Sequence, residues 1–192
     1  MKKGFTIVEV AILFVIFLIV AFLVAPLSID DTLQARFTSK WRNVQEDFVN
    51  ILYAVNSQQE DESISFDKAF VSAIDAETKQ SVKPYKISYM DGTYPSKTYR
   101  FDDYKLTYSN AVISFKMFEE PQENSLGMLM YDVNGCKGPN VWGKDVFGLE
   151  LFNDHFEPYG HNESVAEQKR DCSKNGTGLF CSNYYLIGGN FD

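Results

Sequence analysis

The chain is short of the groups that most enzyme chemistry needs. It has two histidines and three cysteines in 192 residues, and no cysteine precedes Cys136. No Gly-x-Ser-x-Gly elbow offers a nucleophile. The glycines at 176, 178, 188 and 189 do not compose a phosphate-binding fingerprint and follow no strand-to-helix transition. Cysteine pairs at zinc-ligand spacing are missing, so His155 and His161, beside Asp154, Glu157 and Glu163, read as solvent-exposed loop histidines rather than metal ligands. No internal repeat or low-complexity tract is present. These absences point to a protein without catalytic activity of its own.

Basic residues are also in the minority. Lys and Arg number 18 against 26 Asp and Glu, a net charge of −8, and two of the cations are Lys2 and Lys3. An acidic body repels a phosphate backbone, so no direct nucleic-acid binding is expected. What the chain does have is one concentrated apolar block. Val10 to Ala25 is sixteen consecutive apolar residues without Gly, Pro or charge, in a chain whose mean hydropathy is only −0.22.

A basic start before an apolar run has the form of a secretory signal, but no small-x-small site precedes a plausible mature start and Ala25 is followed by Pro26. A single-pass anchor fits the length. Phe5 to Ala25 is 21 residues, about 30 Å of helix at roughly 1.5 Å per residue, the thickness of a bilayer's hydrocarbon core. Glu9 is the misfit, because an unpaired carboxylate at depth costs on the order of 2 to 3 kcal/mol. Its partner must be water, another chain or a new amino terminus. Cleavage after Gly4 would create that terminus and leave Glu9 in the first turn, where the helix dipole favours an anion.

Lys2-Lys3-Gly4-Phe5-Thr6-Ile7-Val8-Glu9-Val10, the apolar run and Pro26 together resemble the class III signal and N-terminal helix of type IV pilins and type II secretion pseudopilins. The resemblance implies cleavage between Gly4 and Phe5 by a prepilin peptidase and N-methylation of Phe5. It gives Glu9 and Pro26 the roles of the family's assembly glutamate and helix-kinking proline. It further implies an α+β, pilin-like fold: a leader at 1–4, a hydrophobic transmembrane and filament-core helix at 5–27, an amphipathic helix at 28–57 and a head at 58–192. The implied partners are copies of the chain and other pilins, the peptidase, an inner-membrane assembly platform and, before assembly, the lipid bilayer. The implied location is the bacterial inner membrane with the head outside the cytoplasm, then an extracellular pilus or a periplasmic pseudopilus. The alternative reading is an uncleaved single-pass anchor carrying a binding module or enzyme.

Beyond the run, Leu33, Phe37, Trp41, Val44, Phe48, Ile51 and Val55 recur at three- and four-residue intervals, one apolar stripe on a helix that packs on the chain's own sheet. Pro26 is expected to kink or locally unwind the helix ahead of the stripe. Gln58 to Ser63 reads as a break, and Phe66, Phe70 and Ile74 as a short helix capped by Ser65. Strands are expected at Tyr85–Met90, Thr98–Phe101, Tyr104–Tyr108, Ala111–Phe118, Met128–Val133 and Val146–Phe152, with turns at Asp91-Gly92, Asp102-Asp103 and Ser109-Asn110, as an antiparallel meander.

Asp132-x-Asn134-Gly135 has the opening of a calcium loop, and Asp145 adds a carboxylate; these three are the candidate calcium ligands. The EF-hand pattern is incomplete, and Asn-Gly, Gly-Pro and Pro-Asn are turn chemistry, so a structural turn is the competing reading and no cofactor is required. Asp132 to Phe147 is also similar to a segment common in pilin-like proteins. Three cysteines allow one disulfide with one left over. In an exported head the separation of nine residues favours Cys172 with Cys181, and Cys136 remains. That pairing resembles the C-terminal disulfide loop of many pilins.

Overall fold

The computed structural model describes residues 6–58, 66–74, 86–95, 102–105, 110–122, 125–135, 137–152 and 155–190, with backbone alone at 24–30, 58, 66–68, 71, 102–105 and 119–122. The expectations placed on Gly4, Phe5, the cap Ser65, the strand Thr98–Phe101 and Cys136 lie outside the described residues. The elements are α1 (Ile7–Gln58), α2 (Phe66–Ala73), β1 (Asp102–Lys105), β2 (Val112–Gln122), β3 (Ser125–Asp132), β4 (Val146–Leu151), β5 (Phe156–Pro158), α3 (Val165–Asp171) and α4 (Cys181–Leu186). The protein is α+β, a long N-terminal helix followed by an antiparallel sheet. Two compact units divide it, Met1–Arg36 and Phe37–Asp192.

In the first unit every residue from Ile7 to Leu23 is exposed around the full helix circumference. Thr6 opens the helix. Its N–H and hydroxyl donate to Glu9 Oε2 at 2.8 and 2.9 Å, and Glu9 N–H donates back to Thr6 Oγ1 at 3.3 Å. This reciprocal arrangement is a capping box, which satisfies amides that the first turn otherwise leaves orphaned. Glu9 thus has a partner in its own chain, three residues away, which the sequence reading did not consider. The helix continues across Pro26, so the unwinding expected there does not occur. Among the described residues no helix is long and apolar enough to cross a membrane; the described apolar stretch, Ile7–Leu23, is 17 residues, about 25 Å of helix.

In the second unit the expected stripe is the buried seam. Phe37, Trp41, Val44, Phe48 and Val55 are buried, Leu52 joins them, and Ile51 is half-buried. Leu33, the first residue of the expected stripe, belongs to the first unit and is 40% exposed. The seam meets a five-stranded meander in the order β1-β2-β3-β4-β5, every pair antiparallel. Register aligns Ile113, Tyr131 and Phe147 in one row and Phe115, Leu129 and Leu149 in the next. Against these rows Trp41 stacks on Phe147 at 4.9 Å and Phe48 meets Tyr131 edge-on at 5.8 Å. From α2, Phe70 packs on Phe115 at 5.3 Å.

Several expectations are corrected. Of the expected strand Tyr85–Met90, the described residues 86–90 are no strand of the meander: Ser88 makes one isolated parallel bridge to Val141, and the amides of Ser88, Met90 and Asp91 go to two loops. Ser88 donates to Asn140 O at 3.0 Å, Met90 to Thr177 O at 3.2 Å and Asp91 to Gly176 O at 3.1 Å. Asp102 and Asp103 form no turn; they pair with Phe115 and Ser114 in β1, where ladder bonding overrides their turn preference. β2 runs on to Gln122 through Pro121, which falls inside a register irregularity between Met117 and Gln122, where an absent N–H is tolerated. β5, α3 and α4 were not expected.

Removing the indole in Trp41→Ala is expected to cost about 3 to 5 kcal/mol, the usual range for emptying a large aromatic site, as a lower denaturation midpoint at unchanged denaturant sensitivity. Alkaline titration gives a second check. Burial, reinforced by Asp47 and Asp132, pushes the Tyr131 phenol up to about 12. The folded state therefore favours the neutral phenol, and its contribution is fully present below the ordinary value near 10. Stability should fall as pH climbs from about 10 towards 12, and Tyr131→Phe should flatten that part of the profile.

Candidate functional site

The Asp132 to Asp145 loop closes the end of the sheet between β3 and β4. Asp132 is buried, and its Oδ1 accepts from Asn134 N–H at 3.1 Å. Asn134 Nδ2 donates to the carbonyls of Lys137 and Gly138 at 2.9 and 3.1 Å. Asp145 has no exposed surface; its two carboxylate oxygens accept from Asn140 and Val141 N–H, both at 2.8 Å. Burial raises the Asp145 carboxyl above its ordinary range, opposed by those amides, its own backbone and Asn134. The structure therefore brings Asp132, Asn134 and Asp145 into one loop as the framework of a turn, with carboxylate oxygens aimed at backbone N–H groups. Gly135 and Asn140 sit at φ 67° and 53°, the left-handed conformations that Gly and Asn tolerate best.

The disulfide loop packs beside it. Cys172 and Cys181 are joined, as expected, and both are buried. A bridge closing so short a loop contributes about 2 to 3 kcal/mol by loop entropy. Asp171 organises the chain between them, accepting from Thr177 N–H and hydroxyl at 2.8 and 2.7 Å and from Phe180 N–H at 2.9 Å. Gly143 has φ 76°, and a Cβ there would lie 2.5 Å from Cys181 Sγ. Gly178, at φ 80°, would place one 2.2 Å from Trp142 O. Backbone thus meets backbone where the two loops mesh. From α1, Trp41 Nε1 donates to Ser182 O at 2.8 Å, and Arg42 donates to Tyr185 O at 2.7 Å and Gly189 O at 3.0 Å. The helix seam therefore holds the C-terminal helix as well as the sheet.

A cavity of about 10 Å³, room for a single water, lies among Phe70, Phe115, Met128, Leu151 and Phe156. Among the described residues no group of three or more His, Cys, Asp or Glu could hold a metal ion. The histidines are nonetheless not isolated. Glu157 accepts both, with His155 Nε2 at 3.1 Å from Oε1 and His161 Nε2 at 2.9 Å from Oε2, a convergence that spacing alone did not reveal. Glu9 and Thr6 form the fourth polar constellation. Gly4 and Phe5 lie outside the described residues, as does the side chain of Pro26. No protein-family model, no curated protein and no solved structure matches the chain.

Gly143→Ala is expected to lower thermal stability and to raise the free-thiol count of protein refolded under oxidising conditions, because the added methyl would press on Cys181 Sγ at 2.5 Å. Asp145→Asn should destabilise the head by about 1 to 3 kcal/mol, since one of two buried amides loses its acceptor. That loss should be equal in calcium and in chelator if the loop is a backbone-held turn; a loss confined to calcium-containing buffer would make the carboxylate an ion ligand.

Proposed function

We propose that the chain is a structural subunit of a type IV pilus or a related secretion pseudopilus, cleaved between Gly4 and Phe5 and assembled through its N-terminal helix. The observation that carries this reading is the state of Ile7 to Leu23. A helix exposed on all sides and apolar on all sides, apart from Glu9, is unstable in water and needs lipid or other helices around it. The sequence prolongs that surface through Val24 and Ala25. The subunit waits in the inner membrane as a single-pass protein, and its helix is then transferred from lipid into a bundle of like helices.

Three further features support it. The leader motif and the helix that follows belong together in the resembling families. The head is α+β, with the second part of the helix packed on an antiparallel meander and a C-terminal disulfide loop. Its disulfide loop meshes with the loop between β3 and β4, which makes a head of fixed shape for packing against other copies.

Glu9 sets the register in this reading. Cleavage would leave Thr6 as the second residue of the mature chain, and its hydroxyl and N–H hold the carboxylate at the helix start. The charge then faces the terminal amine of Phe5 in a neighbouring copy, and in a core of apolar helices an unpaired carboxylate costs several kcal/mol. Mismatched axial positions are excluded by that cost.

Mass spectrometry of the mature protein should find a start at methylated Phe5 and the loss of Met1 to Gly4. An intact leader would overturn the reading in favour of a simple anchor. Glu9→Val should insert in the membrane normally yet enter filaments poorly, and Gly4 replaced by a bulky residue should remain uncleaved.

A further inference from the structure

The part of α1 that belongs to the second unit carries another line of side chains besides its buried seam. Arg42, Glu46, Val49 and Tyr53 follow one another at intervals of four, three and four, and all are exposed, Val49 at 53% and Tyr53 at 73%. That spacing makes a stripe able to run along a neighbouring helix. Arg42 and Glu46 stand at the spacing of an in-chain ion pair, yet they do not form one. Arg42 is turned to the carbonyls of Tyr185 and Gly189, which leaves guanidinium N–H groups for a further acceptor. Among the described residues no hydrogen bond or ion pair holds Glu46. The line therefore presents a cation, an anion and two large apolar side chains to whatever lies beside it.

We infer that a second copy of this chain packs along this line, parallel to the first and offset by four residues; the inference rests on the subunit reading above and names a contact for it. Spacing carries the argument. In two parallel copies an offset of four residues sets Arg42 of one level with Glu46 of the other, and Val49 of the first level with Tyr53 of the second. One displacement, about 6 Å at roughly 1.5 Å per residue, joins opposite charges and covers the two exposed apolar side chains together. With no offset Arg42 faces Arg42 and Glu46 faces Glu46, and like charges repel. The pairing of Glu9 with Phe5 of a neighbour asks for the same displacement in the same sense, because those residues are also four apart. Residues seven apart nearly coincide around a helix, so Arg42 and Val49 share one flank of the line while Glu46 and Tyr53 share the other. One flank of each copy meets the other flank of the next. Such a heterologous contact can repeat along a filament, whereas a two-fold contact stops at a dimer.

Oxidative cross-linking in cells that assemble the native chain tests this. Val49→Cys and Tyr53→Cys chains are co-expressed on a Cys136→Ser background, one of them lengthened by a tag so that mixed and like dimers separate by size. A disulfide needs Cα atoms about 4.4 to 6.8 Å apart, so the mixed dimer should dominate and like dimers should be scarce. Glu46→Lys should lower the sedimentable fraction severalfold while leaving circular dichroism unchanged. Cleaved chains that sediment as polymer without the mixed dimer, or with like dimers in its place, overturn the contact and leave the subunit reading standing. Chains that keep Met1 to Gly4 and do not polymerise overturn that reading and the contact with it. If a cysteine variant fails to fold, Glu46→Lys decides: normal polymer from that chain refutes the inference.

Discussion

Burial of Trp41 is the constraint on which the head depends. One side chain with no exposed surface stacks on Phe147 of β4 and donates its single N–H to Ser182 O of α4. Sheet and C-terminal helix are therefore both positioned from α1. An indole buries a large apolar area but must find an acceptor for its N–H, or the burial is undermined by an unsatisfied donor. The acceptor it uses lies one residue after Cys181, so the disulfide that fixes the start of α4 also fixes the carbonyl that completes the Trp41 site. Arg42, the next residue, extends the hold to the carbonyls of Tyr185, in the last turn of α4, and Gly189 just beyond it, the place where a cation best complements a helix's C-terminal end.

Much of this was legible where a periodic pattern and the final packing coincide. The stripe from Phe37 to Val55 predicts the buried seam because one helix face meets one sheet. The central strands follow from alternation, since β3 buries every second residue from Ser125 to Tyr131. Elsewhere tertiary bonding decides. Tyr85–Met90 has a strand's composition, yet the amides of Ser88 and Met90 are taken by the loops at 140 and 177. Asp102 and Asp103 look like a turn and lie in a ladder. Ser164 and Glu167 form a capping box, a local signal of a helix start, whereas a seven-residue helix scarcely displays apolar periodicity. The histidine pair could not be read from spacing, because their meeting point is set by the turn after β5.

The candidate sites divide along the same line. Asp132, Asn134 and Asp145 come together as their spacing implied, but proximity did not reveal direction. The Asp132 and Asp145 oxygens accept from amides of the loop that carries them, and Asn134 Nδ2 donates to its carbonyls, the use that Asp and Asn make of turns. A buried carboxylate that accepts from two amides, as Asp145 does, stabilises one loop conformation against the others. Gly143 and Gly178 serve the same end through absence, by letting two loops approach to backbone contact around the disulfide.

A head stiffened in this way and a helix left bare express opposite rules. In the second unit the loop end is held by polar bonds within the chain, through Asp145, Asp171 and Arg42. In the first unit the polar pair at the helix start is satisfied and the apolar surface is not. Thr6 and Glu9 close the capping box locally, so the carboxylate is held at one place before any neighbour arrives. Apolar contact between helices is non-directional and tolerates sliding along their length; a charge fixed three residues from its cap does not. On the proposed reading the two therefore act in sequence: burial supplies the attraction between copies, and the position of Glu9 restricts which of many equally apolar alignments can survive.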